Sequence, residues 1–239
     1  MFLLDVTGSM QPCIDAIREN IGVFVRTLSQ KDANNSSPVK DWRARVVGYR
    51  DHPHNPADWI EQHPFVADAE LLKAQLEGLQ ATGGDDEPES LLDALYVVAT
   101  APQSSRGVVD ASMWRSRSDA TRVVVVFTDA SFHETLSIPE AKGGKLEDVT
   151  NALLSSRILL TQFAPDLACH HALATLPKSN YECIAVPEGP DWSPQRALAE
   201  YVGAKDGFRK VMAQLAVSIS QSAAIPLADD PESLVGERP

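Results

Sequence analysis

Four consecutive valines and a phenylalanine, Val123–Phe127, set the tightest limit on what this chain can fold into. A strand with one wet face alternates polar and apolar residues. A run with no polar position needs cover on both sides, which is the situation of a central strand in a parallel sheet. Shorter runs of the same kind mark further strands at Phe2–Leu4, Arg43–Tyr49, Ile158–Phe163 and Cys183–Val186, with Phe65–Val66 as a short edge strand. Helical spacing fills the intervals. Ile14, Ile17, Ile21, Phe24 and Leu28 recur at three- and four-residue steps, with Pro12 suited to the first turn. Leu72, Leu76 and Leu79 follow Asp68, a predicted N-cap, and Leu91, Leu92, Leu95 and Val98 form a third face. Leu146, Val149, Leu153 and Leu154 mark a fourth helix, and Asp166 is the expected N-cap of a fifth through Leu176. Ser193-Pro194 opens a sixth that stops at Gly203, and Asp206 a seventh carrying Phe208, Met212, Leu215 and Ile219. Strands alternating with helices predict an α/β fold: a doubly wound, mostly parallel, Rossmann-like sheet of about six strands with helices on both faces.

Composition sets the scale. A 239-residue chain that is 44% apolar suits one such domain, expected over residues 1–221. Residues 222–239 are prolyl and acidic without periodicity and are predicted to be a disordered tail. Asp32–Pro38 is a surface loop by its turn residues. Ser104–Thr121 is a polar insertion, with Arg106, Arg115, Arg117 and Arg122 expected as parts of a solvated connector. Cys13, Cys169 and Cys183 are too widely and irregularly spaced for a disulfide framework or a zinc motif, which points to thiols in a reducing, cytoplasmic setting. A formal net charge of −12 argues against nucleic acid or an anionic membrane as the main partner, and no apolar run reaches membrane-span length. Arginine in excess of lysine, with abundant alanine, hints at a bacterial source.

The chemistry sits at strand ends. Asp5-Val6-Thr7-Gly8-Ser9 follows the first strand and offers a carboxylate and two hydroxyls at alternate positions. Hard oxygen donors of this kind suit a divalent cation such as Mg²⁺. The structural alternative is that Asp5 and Ser9 only cap the helix that follows. Asp129 stands at the end of the valine strand, and Thr82 precedes the glycine pair Gly83-Gly84. Asp86 and Glu89, with Pro88 between them, form a capping-box pattern for the next helix. His52 and His54 alternate like a ligand pair but have no obvious third partner, and they are expected as loop residues.

Asp5-x-Thr7-x-Ser9, Thr82 and Asp129 together resemble the metal-ion-dependent adhesion site of von Willebrand factor type A domains. Gly48–His52 and Thr82-Gly83-Gly84 through Pro88-Glu89 are similar to the intracellular, alpha-kinase-associated members of that group. The resemblance implies a non-enzymatic module in which those five residues hold Mg²⁺, or Mn²⁺ or Ca²⁺. It further implies a protein partner presenting a Glu or Asp to the ion, within a complex containing an AAA+ ATPase or a kinase. Asp85 stands where the subgroup has a third glycine, which makes Asp85 and Asp86 competitors of Thr82 as ligands. The alternative is a Mg²⁺-dependent phosphohydrolase or phosphotransferase, because the first loop also resembles the Asp-Lys-Thr-Gly-Thr loop of P-type ATPases. In that reading Asp5 is the nucleophile, with Asp129 and Lys142 or Lys145 as metal ligand and charge clamp. Against it, the motif's lysine is Val6 here, no nucleotide-binding domain follows, and Thr7 stands where haloacid dehalogenases carry an acid.

Overall fold

The computed structural model describes residues 1–30, 39–54, 56–84, 87–177 and 179–223. Its sheet comprises β1 (Phe2–Asp5), β2 (Val46–Tyr49), β3 (Ile60–Gln62), β4 (Arg122–Phe127), β5 (Ile158–Pro165) and β6 (Ser179–Ile184). The strand order is β3-β2-β1-β4-β5-β6, and only the β2–β3 pair is antiparallel. From β1 the chain moves outward through β2 and β3, then returns to β4 on the other side of β1. Such a reversal opens a crevice at the carboxyl ends of the two central strands, where ligands of α/β sheets bind. Asp5 and Asp129 lie at that crevice.

Alternation along the strands divides the core into two layers. Phe2, Leu4, Val125 and Phe127 face α1 (Gln11–Leu28), α2 (Ala69–Gly78), α6 (Pro194–Gly203) and α7 (Lys205–Ala223). Leu3, Val47, Val124 and Val126 face α3 (Leu91–Thr100), α4 (Leu146–Ser155) and α5 (Ala168–Leu173). The valine strand is therefore covered on both sides, as its composition requires. Phe127 also stacks on Phe163 of β5 with ring centroids 4.5 Å apart. Asp68 caps α2 by accepting from the amides of Glu70 and Leu71, and Ser193 caps α6 through the amide of Arg196. No helix among the described residues is long and apolar enough to cross a membrane.

Several expected boundaries move. The edge strand is Ile60–Gln62; Val66 makes only an isolated bridge to Ala44, because Pro64 interrupts the ladder between them. The strand expected at Arg43–Tyr49 narrows to Val46–Tyr49. The last strand is Ser179–Ile184 rather than Cys183–Val186, since an edge strand is half exposed and carries no apolar run to betray it. α3 starts at Leu91, not at the Asp86–Glu89 pattern, because Glu89 is extended and bridged in parallel to Phe132. Asp166 does not cap α5, whose N-cap is Leu167; its carboxylate is held by His171 instead. Arg122 is no part of a solvated connector: it is buried in β4, and its guanidinium donates to the carbonyls of Arg115 and Ser156. α7 continues through residues 222 and 223, the first two of the predicted tail; the predicted loop at Asp32–Pro38, the ligand candidates Asp85 and Asp86, and the rest of that tail lie outside the described residues.

Candidate metal centre

Asp5 ends β1 fully buried, and three local donors engage its carboxylate. One oxygen accepts from the Thr7 amide at 2.9 Å and the Thr7 hydroxyl at 2.7 Å. The other accepts from the Thr128 hydroxyl at 2.8 Å. Asp5 therefore fixes two threonine hydroxyls by accepting their hydrogen bonds, which leaves the hydroxyl lone pairs available to a cation. A short 3-10 turn, Gly8–Met10, follows, and neither it nor α1 has a side-chain N-cap hydrogen bond. The capping role weighed for Asp5 and Ser9 is thus not the one they serve.

Thr82 comes to the same place through the backbone. Its amide donates to the Val6 carbonyl at 2.9 Å, and the Gly8 amide donates to the Gly83 carbonyl at 2.9 Å. Gly84 has φ of +82°, and a Cβ there would sit 2.6 Å from Cβ of Thr7. Only glycine permits both the backbone conformation and that approach. On the far side of the crevice, the Glu89 amide donates to the Ser131 carbonyl, and the His133 amide to the Glu89 carbonyl. These bonds tie the backbone at Glu89 to the loop that carries Asp129.

Asp129 is 1% exposed, and neither of its carboxylate oxygens has a hydrogen-bond partner among the described residues. Burial first, then the Asp5 charge, pushes its pKa up to about 7; the nearby Ser9 hydroxyl opposes the shift without closing a hydrogen bond of good geometry, and Glu87 adds to it. Asp5 is raised too, mainly by burial, while the Thr7 and Thr128 donors pull it back. Two buried carboxylates, one of them orphaned, form a negative site, and no cationic side chain among the described residues offsets the shift of either. The orphaned pair of oxygens, the hard donors around it and the prearranged hydroxyls fit a divalent cation.

All five predicted ligands, Asp5, Thr7, Ser9, Thr82 and Asp129, belong to the loops that meet at this crevice. Two contributors were missed. Thr128 carried a signal, a hydroxyl directly before a strand-end carboxylate. Glu87 carried little, being one acid among several. It accepts from the Ser131 hydroxyl at 3.1 Å and from Gln195 at 2.6 Å, and its charge bears on both aspartates. Behind the rim, Asp51 accepts from Ser90 at 2.9 Å and His133 at 2.7 Å and also pairs with His54. His52 bonds Ser137 at 2.9 Å. Both His52 and His54 thus serve as loop bracing.

No family model and no curated protein matches the sequence. Among solved structures, the chain is similar to the VWA domain of SpRpn10, with a TM-score of 0.50 and 9% identity over 83% of this chain and 92% of that one. The fold is that of a von Willebrand factor type A domain. A second similar structure is proximal thread matrix protein 1 from the mussel byssus, with a TM-score of 0.48 and 11% identity over 88% of this chain and 45% of that one. At 9% identity the likeness to the SpRpn10 domain fixes the architecture alone, and the chemistry of the crevice rests on its own residues.

Proposed function

We propose that this vWA domain is a binding module that holds a divalent cation of the Mg²⁺ class between Asp5 and Asp129 and uses it to engage a carboxylate on a protein partner. The observation that carries this reading is Asp129, buried with two unpartnered oxygens beside a second buried aspartate. Asp5 supplies charge and orients the Thr7 and Thr128 hydroxyls, while Ser9 and Thr82 are the remaining neutral donors. When bound, the ion supplies an electrophilic centre that a Glu or Asp side chain can reach. Neutral hydroxyls in place of further carboxylates keep the site from neutralising its cation. The rim formed by residues 50–54, 83–84 and 131–136 would select the partner, in an intracellular assembly of the kind the resemblance implies.

The phosphotransferase reading has less support. A nucleophilic aspartate needs an accessible oxygen, and both oxygens of Asp5 are buried and engaged by three donors. Beryllium fluoride, with Mg²⁺ present, is accordingly expected to leave Asp5 unlabelled.

Mn²⁺ and acetate provide a direct test of the binding reading. Titrating Mn²⁺ into the protein should enhance water-proton relaxation, and acetate should lower that enhancement by displacing water from the ion. Thr82→Ala should weaken the acetate effect and leave the fold intact. An enhancement that acetate leaves unchanged would exclude capture of a carboxylate at this site.

A further inference from the structure

At the neighbouring β5–β6 edge, three side chains from separate elements converge. Asp166 follows β5, His171 lies in α5, and Cys183 is the penultimate residue of β6. Their ligand-capable atoms all lie within 4.8 Å of one another, and all three residues are exposed. Nε2 of His171 is 2.7 Å from a carboxylate oxygen of Asp166. The backbone holds the set in register: Ala164 pairs with Cys183, and the Asp166 amide donates to the Ile184 carbonyl at 2.9 Å. Tyr181, two residues before Cys183, packs its ring against His171 with centroids 5.2 Å apart and donates its hydroxyl to the Pro165 carbonyl. The Tyr181 ring thus helps to fix the imidazole beside the Asp166 carboxylate and the Cys183 thiol.

A thiol, an imidazole and a carboxylate are a poor set for Mg²⁺, which takes oxygen, and a good one for Zn²⁺ or another borderline-soft ion. We propose that Asp166, His171 and Cys183 form a second metal site, selective for Zn²⁺-class ions, with one coordination position open to solvent. A nucleophilic Cys–His pair is the competing use of these residues. Nε2 of His171 is turned to the Asp166 carboxylate at 2.7 Å rather than to the thiol, which does not set the imidazole up as the base of such a pair. The site is also linked to the first one. His170, next to His171, is buried and contacts the Ala130 carbonyl through Nε2 at 3.0 Å, one residue beyond Asp129. An ion held by His171 would thus stiffen α5 against the loop that carries Asp129.

Cobalt reports on a thiolate ligand directly. With the full chain in excess Mg²⁺ to occupy the oxygen site, Co²⁺ should produce a thiolate-to-metal charge-transfer band, and equimolar Zn²⁺ should abolish it. Cys183→Ser should eliminate the band, and His171→Ala should weaken Co²⁺ binding at least about tenfold. Asp129→Asn, Cys13→Ser and Cys169→Ser should leave the band in place. Absence of the band in the wild type, its survival in Cys183→Ser, or unchanged affinity in His171→Ala would each overturn the proposal.

Discussion

Asp129 concentrates the physics of the site in one side chain. Its carboxyl titrates near 3.8 in an unfolded chain and at about 7 in the metal-free fold. Between those values the folded state holds a proton that the unfolded state has lost. Metal-free stability must therefore fall as pH rises through that window, with a ceiling of about 4 kcal/mol. Thermal unfolding without divalent ions should show a higher Tm at pH 5 than at pH 8, and Asp129→Asn should reduce the difference. Added Mg²⁺ should raise Tm more at pH 8, where it does not compete with a proton. A pH-independent Tm would mean that Asp129 is solvated or paired in solution. Thr128 gives a second residue-scale test. Thr128→Val leaves one oxygen of Asp5 without its donor, an expected cost of about 1–3 kcal/mol in urea unfolding. A neutral result would show that water replaces the hydroxyl.

Among the elements, those with a buried face were legible and those at the periphery were not. Val123–Phe127 and the stripe from Ile14 to Leu28 were unambiguous because each element's burial is written in its own residues. The last strand was displaced because β6 is an edge strand whose exposed positions carry ordinary polar residues. Asp166 failed as a predicted cap because a carboxylate ahead of a helix can equally hold a histidine within it, and sequence spacing does not distinguish the two. The five proposed ligands could be named because Asp5, Thr7, Ser9 and Asp129 stand at strand ends that the pattern located, Thr82 stands beside a glycine pair, and the set as a whole resembles the vWA metal site. Cys183 could not be joined to His171 and Asp166 without knowing that β6 pairs with β5. The glycine turn supplies the element-scale prediction. Gly84→Ala would carry positive φ, a cost of about 1–2 kcal/mol, and would press on Thr7. It should impair Mg²⁺ binding more severely than Gly83→Ala, whose Cβ would meet nothing within 4 Å. Equal losses in the two variants would place the effect in the backbone alone.

The whole molecule is a three-layer frame that holds two aspartates at the point where strand order reverses. Phe127, buried between β5 and α7 just ahead of Thr128-Asp129, ties that frame to the site. Phe127→Ala should cost about 3–5 kcal/mol and lower cation affinity with it. The chain's net charge of −12 draws cations toward the crevice and keeps an acidic ligand away until one is bound. Partner binding should consequently require metal first. The most direct test of the central claim is calorimetric titration of Mg²⁺ into the wild type and Asp129→Asn at pH 8, with circular dichroism to confirm that both are folded. The wild type should bind one Mg²⁺ and the variant none detectable. Equal binding by both proteins would contradict that claim.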